Sequence, residues 1–259
     1  MNFKNEIILH LIEYSPIWEN NRENLTYLSE IIKDINYSDI IILPEMFNTG
    51  FSNNVSKIAE KMDGKTVQWM IDISLENHVA ICGSVAISEY DEHYNRFIFI
   101  ADGKIVATYD KRHLFSFSGE NIFYKPGNSK VTFIYLGWKI CPMICYDLRF
   151  PVWNRNTENY DLLLNVANWP KKRIEAWDTL LKARSIENLC YVCGVNRLGT
   201  DGNGLSYLGH SSIFTPEGKL LKVNKVNNFI YKQIISQEEI KRCRNIYHFL
   251  EDQGHFQFL

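Results

Sequence analysis

The 259-residue sequence contains no run of about 18 apolar residues, the length a helix needs to cross a bilayer. Its opening, M-N-F-K-N-E-I-I-L-H-L-I-E-Y, has no small-residue cleavage site and is broken by His10 and Glu13. It therefore reads as a first strand rather than an export signal. Neither sign of charge dominates: 28 Lys and Arg against 30 Asp and Glu leave a formal net charge of -2, which gives no electrostatic reason to expect nucleic acid or a membrane surface as a partner. The basic clusters at 171–173 and 241–244 read as solvated faces. H-E-x-x-H, G-x-x-x-x-G-K-[ST], G-x-S-x-G and a complete G-x-G-x-x-G are all missing, so zinc-protease, P-loop and serine-elbow chemistries lose their support. Repeats, low-complexity tracts and linkers are also missing.

With 46% hydrophobic and 22% charged residues, the chain has an ordinary globular composition and is expected to form one domain over residues 1–259. Six cysteines are spaced poorly for disulfides. Cys141 and Cys145 on one strand lie about 13 Å apart at roughly 3.3 Å per residue, beyond the ~7 Å reach of a disulfide. Cys190 and Cys193 point to opposite faces if they share a strand. Free thiols imply a cytoplasmic protein.

Strand and helix patterns alternate. Strand-like Glu6–Ile12 precedes a helical pattern over Glu19–Asn36, with Leu25, Leu28, Ile32 and Ile35 on one side; the unbroken run Asp39–Leu43 then reads as a buried strand. Lys65–Asn77 is a second amphipathic helix with Val67, Met70, Ile71 and Leu75 inward, and Val79–Ile87 a further strand. Asn95–Ala101 and Lys104–Tyr109 flank Asp102-Gly103, a pair suited to a type I′ hairpin. The stretch Asp110–Asn128 has no regular period and is rich in aromatics, which suggests a functional loop. Further strands at Val131–Leu136, Asp161–Ala167, Cys190–Asn196 and Ser211–Thr215, and helices at Ile174–Leu189 and Glu238–Arg244, complete an α/β pattern ahead of an aromatic tail.

Three positions in this pattern attract chemistry. Ile140–Cys145 is an apolar run that stops at a thiol followed by the turn-like Tyr146-Asp147-Leu148-Arg149 and Pro151. Strand ends of α/β sheets face the crevice in which ligands bind, so Cys145 is a candidate nucleophile. Glu45 also ends a strand, and Lys111 begins the aromatic loop. An ammonium at Lys111 favours a thiolate and a tetrahedral oxyanion, while Glu45 moves the proton. A buried structural cysteine and a surface Lys–Glu pair are the plainer alternatives, and His113 keeps a Cys-His hydrolase open.

These stretches, L-P-E-M-F-N-T-G-F-S, Y-D-K-R-H-L-F and C-Y-D-L-R-F-P, resemble in type and order the signatures of the carbon–nitrogen hydrolase, or nitrilase, family. The resemblance spans nearly the whole chain. It implies a four-layer αββα sandwich, with Glu45 as general base, Lys111 as catalytic lysine, Cys145 as nucleophile and Glu120 of F-S-G-E-N as a second glutamate. It also implies a thioester intermediate, the backbone N–H of Tyr146 as oxyanion donor, no metal or organic cofactor, and a homodimer formed through a helical face.

N-V-A-N-W-P-K-K-R, K-A-R-S-I-E-N and N-R-L-G-T-D-G-N-G are most similar to bacterial omega-amidases, which hydrolyse 2-oxoglutaramate and 2-oxosuccinamate. A carboxylate-bearing substrate calls for a cation, with Arg149 and then Arg173 as candidates, and for walls supplied by Phe117 and Trp169. An internal ion pair, a solvated charge and core packing are the respective alternatives. A nitrilase, a carbamoyl-amine hydrolase and a silent amidase-like binding protein also remain open.

Overall fold

A computed structural model describes residues 3–221 and 224–254. In chain order it contains β1 (Glu6–Ile12), α1 (Asn21–Ile32), β2 (Ile40–Ile42), α2 (Val55–Ile58), α3 (Lys65–Asn77), β3 (Ala80–Glu89), β4 (Glu92–Ala101), β5 (Lys104–Asp110) and α4 (Glu120–Phe123). There follow β6 (Phe133–Tyr135), β7 (Trp138–Ile144), α5 (Pro151–Asn154), β8 (Leu162–Ala167), α6 (Ile174–Asn188), β9 (Tyr191–Asn196), β10 (Leu198–Thr200) and β11 (Ser206–Leu208). The last elements are β12 (Ser212–Phe214), β13 (Leu220–Leu221), β14 (Asn224–Lys225), β15 (Ile230–Ser236) and α7 (Gln237–Ile246). The end of the aromatic tail, from His255 on, lies outside the described residues.

Two mixed sheets stack face to face, one in the order β14-β15-β1-β2-β3-β4-β5 and the other β13-β12-β9-β8-β7-β6. The two-residue period of the strands sorts their side chains between layers. Ile7, Leu9 and Leu11 of β1, with Ile40 and Ile42 of β2, join Ile140, Leu164 and Val195 of the second sheet in one inner core. Ile41, Ile81, Ile98 and Ile100 project the other way, onto Leu28 and Ile32 of α1 and Val67 and Met70 of α3. On the far side, a Cβ at Gly194 of β9 would strike Leu181 and Trp177 of α6, so glycine lets that helix lie close to the second sheet. The layers are therefore α, β, β, α.

Helix α1 is shorter than the apolar period suggests. Asn20 caps it, its Oδ1 accepting the Glu23 N–H at 3.3 Å, and this leaves Glu19 outside at φ 50°. Helix α3 has the expected limits but a rotated face: Leu75 is 51% exposed, whereas Ser74 is buried and its hydroxyl oxygen accepts the Gly103 N–H. Asp102 and Gly103 both have positive φ, as a type I′ turn requires. Tyr90 and Asp91 adopt the same backbone sign between β3 and β4 with no glycine to announce it.

Candidate active site

Parallel pairing aligns β1, β2 and β3 in one sheet and β7, β8 and β9 in the other, so strand ends from both sheets meet at one edge of the sandwich. Glu45 follows β2, Cys145 follows β7, and Asn168 follows β8. Lys111 follows β5, where its backbone N–H is held by the Asn95 carbonyl of β4 at 2.9 Å. Cys145 itself has φ 45°, the left-handed region, and begins a 3-10 helix over Cys145–Arg149. The chain turns sharply there and carries the thiol to the cavity instead of into the next strand pair.

Lys111 and Glu45 are each 1% exposed, and Glu120 is fully buried. A surface ion pair is thereby ruled out for them. The Lys111 Nζ lies 2.8 Å from Glu45 Oε1 and 3.0 Å from each carboxylate oxygen of Glu120. Glu45 Oε2 accepts the backbone N–H of Asn168 at 2.8 Å, and the Asn168 amide also donates to the Glu45 carbonyl at 2.6 Å. Glu120 Oε2 receives the Phe115 N–H at 2.6 Å. The network accounts for the ammonium protons and aims each carboxylate.

Burial pushes the Cys145 thiol well above its ordinary range, and the charge of Glu45 pushes it further than Lys111 pulls it back. At rest the sulfur therefore keeps its proton, with the Asn168 carbonyl oxygen 3.9 Å from it. Lys111 favours the thiolate, as its charge requires, but the two carboxylates of Glu45 and Glu120 oppose it. Burial by itself would discharge Lys111, but Glu120 and Glu45 reverse that and hold it protonated. Burial raises the Glu120 carboxyl, and Lys111 opposes the shift.

A cavity of about 500 Å³ opens above this cluster, lined by Glu45, Lys111 and Cys145 and also by Tyr146, Arg149, Trp169 and Arg173. The Arg149 guanidinium lies over the Trp169 ring at 4.8 Å and that of Arg173 over Phe115 at 5.1 Å. Neither forms an ion pair with a carboxylate among the described residues. Phe117 does not line the cavity. The 3-10 turn Ser116–Ser118 leaves it 88% exposed, and Phe115 takes the wall position expected of it. His113 is likewise removed from the chemistry: its ring stacks on Phe150 at 3.7 Å, with Nδ1 2.8 Å from Asp147.

Sequence reasoning missed Asn95, Asn168 and Asp147. Asn168 directly follows the strand run Asp161–Ala167, the same signal that marks Glu45 and Cys145. Asn95, with Arg96, heads a strand run that is apolar from Phe97 on. Asp147, two residues beyond Cys145, is fully buried and accepts from Tyr109, His113 and Ile144, joining the lysine loop to the cysteine turn.

Residues 12–242 match the family model described as carbon–nitrogen hydrolase. The chain is 42% identical to the omega-amidase YafV of Escherichia coli K12 over 82% of each protein. It is 33% identical to the 2-oxoglutaramate amidase of Bacillus subtilis over 83% of this chain and 84% of that one. The crystal structure of XC1258 from Xanthomonas campestris, a CN-hydrolase superfamily protein with an arsenic adduct in its active site, superposes with a TM-score of 0.94 at 36% identity, covering 98% of this chain and all of that one. A cysteine at a sharp strand end, a buried lysine between two carboxylates and a match over most of the sequence thus converge: this chain belongs to the carbon–nitrogen hydrolase family.

Proposed function

We propose that the protein is an amidohydrolase of the omega-amidase type, cleaving the terminal amide of a small substrate whose other end is a carboxylate, such as 2-oxoglutaramate or 2-oxosuccinamate. The observation that carries this reading is a buried Glu45–Lys111 pair beside the half-buried Cys145, beneath a cavity whose wall holds two guanidiniums, Arg149 and Arg173, with no carboxylate partner among the described residues. Relatives bearing the omega-amidase and 2-oxoglutaramate amidase names support the same class.

In the proposed reaction the Cys145 sulfur attacks the amide carbonyl carbon while its proton passes to Glu45. The carbonyl oxygen becomes an oxyanion held by the Lys111 ammonium and the backbone N–H of Tyr146, which precedes the first intrahelical bond of the 3-10 turn. Collapse breaks the C–N bond, Glu45 returns the proton to the nitrogen, and ammonia leaves a thioester on Cys145. Glu45 then takes a proton from water, whose oxygen attacks the thioester, and the thiol is restored as the carboxylic acid departs. Glu120 acts by fixing Lys111. Arg149 and Arg173 hold the distant carboxylate beside Trp169.

We further infer a cytoplasmic protein, because all six cysteines are free. A homodimer across the outer helical layer is supported by Val152 and Ile186, which are 53% and 40% exposed on α5 and α6; light scattering tests it. Residues 1–259 are read as one hydrolase unit on the strength of the inner core shared by both sheets.

A panel scored by ammonia release tests the activity. 2-Oxoglutaramate and 2-oxosuccinamate should exceed neutral amides, nitriles and carbamoyl amines in kcat/KM. Preference for a nitrile or a carbamoyl amine would replace the omega-amidase reading. Inertness of Cys145 toward a thiol-directed amide analogue would leave a binding protein on an amidase scaffold.

A further inference from the structure

Asn95 stands at the centre of the buried charge cluster without touching the cavity. Its side chain is fully buried, and its Nδ2 lies 2.8 Å from Glu45 Oε1 and 3.3 Å from Glu120 Oε1. Its Oδ1 is also buried and has no hydrogen-bond partner among the described residues. An orphaned acceptor is costly, and nothing about the strand requires an amide at this position. Turning the amide over would satisfy neither end, because Oδ1 would then face two carboxylate oxygens. The carboxylates thus determine both the residue type and its orientation.

We propose that Asn95 is a positioning residue of the reaction, one that holds Glu45 in place and apart from Glu120 by donating to both. The proposal rests on the reading of Glu45 as the base that receives the Cys145 proton. Glu45 Oε1 has two donors, Lys111 and Asn95, and Oε2 has the Asn168 N–H. Lys111 must divide its ammonium between two carboxylates, so one positive charge faces two negative ones. Asn95 supplies donor capacity to that imbalance without adding charge. The titratable groups facing Glu45 and Glu120 are Lys111 at the end of β5, Cys145 at the end of β7, and Tyr124, which burial keeps neutral while its hydroxyl donates to the Ser52 carbonyl.

Removing the Asn95 donor leaves the charge of the carboxylate pair less stabilised, so fewer molecules can take the thiol proton in mild acid. Asn95→Asp goes further by placing a third carboxylate at the same ammonium. Both changes act through Glu45 and leave the cavity wall intact. kcat should therefore fall while KM holds.

The test compares wild type, Asn95→Asp and Asn95→Leu by two pH profiles: kcat/KM for 2-oxoglutaramate, and the rate of Cys145 alkylation by iodoacetamide. The acid limb should move upward by about 1 to 2 pH units, the equivalent of one hydrogen bond to a charged group. A residue that merely packs the strand would lower the rate without moving the limb. Limbs at the wild-type position in folded variants would overturn the proposal. Should Asn95→Leu fail to fold, Asn95→Asp, which is nearly isosteric, decides alone. Alkylation needs no substrate, so a shifted alkylation limb without 2-oxoglutaramate turnover would uphold Asn95 and reject the substrate reading.

Discussion

Asp147 Oδ1 lies 2.8 Å from both the backbone nitrogen and the ring Nδ1 of His113, while its Oδ2 accepts the Tyr109 hydroxyl at 2.7 Å and the Ile144 N–H at 3.1 Å. One buried carboxylate thus fastens the segment that carries Lys111 to the turn that carries Cys145. Asp147→Ala would strand several donors at once. The expected loss is about 3 kcal/mol of stability or more, read by chemical denaturation, accompanied by a fall in kcat. Unchanged stability would remove this fastening role.

Cys145→Ala should abolish ammonia release without unfolding the protein, because the thiol sits at the cavity and its replacement leaves only a small void. Activity near wild type in the folded variant would exclude a thioester on Cys145.

Lys111→Met removes the ammonium from between Glu45 and Glu120 while keeping the length of the side chain. Loss of an oxyanion donor costs about 2.7 to 4 kcal/mol in the transition state, so kcat should fall by roughly two to three orders of magnitude. Burst kinetics would place the defect in acylation. A change confined to KM would contradict the oxyanion role.

Arg149 and Arg173 lie on opposite aromatic supports, Trp169 and Phe115, and are separable by substrate. Arg149→Leu and Arg173→Leu should each be assayed with 2-oxoglutaramate and with a short neutral amide. The variant that loses a carboxylate contact should lose about 1.5 to 3 kcal/mol in kcat/KM on the first substrate and much less on the second. Equal losses on both substrates would mark that arginine as structural.

His10 is buried in β1 with Nδ1 2.9 Å from Ser38 Oγ, and burial, aided by Lys232, lowers its pKa to about 4. The unfolded chain takes up this proton near pH 6.5 and the folded chain only near 4, so the unfolded form binds more protons between those values. Stability is fully present above about pH 6.5, declines as the pH falls through this window, and levels off below 4. The total is roughly 1 to 3 kcal/mol. Denaturation midpoints of wild type and His10→Gln at pH 7 and pH 4 should show a smaller decline in the variant.

Much of this architecture is legible because local chemistry and global packing agree. Asp102-Gly103 declares its hairpin, since glycine and aspartate tolerate positive φ; Tyr90-Asp91 makes the same turn through the pairing of β3 with β4, with an aspartate but no glycine to signal it. Ser74 occupies a core-facing position that an apolar pattern assigns elsewhere, because its hydroxyl serves the Gly103 N–H. Glu45, Lys111 and Cys145 are readable at strand and loop boundaries. Asn95, 50 residues from Glu45, acquires meaning only when β2, β3 and β4 pair in one sheet, and Asn168, 123 residues away, only when the two sheets stack. Phe117 illustrates the opposite error: an aromatic two positions from Phe115 shares its composition but is turned outward by a 3-10 helix.

The left-handed backbone of Cys145 bears on how such sequences diverge. A side chain at this conformation costs about 1 to 2 kcal/mol that glycine avoids, so folding alone favours glycine at the corner. On the proposed reaction, it is turnover that would keep a thiol there. A descendant relieved of catalysis would gain stability by exchanging this residue for glycine, and the loss would be reinforced by the fold that remains.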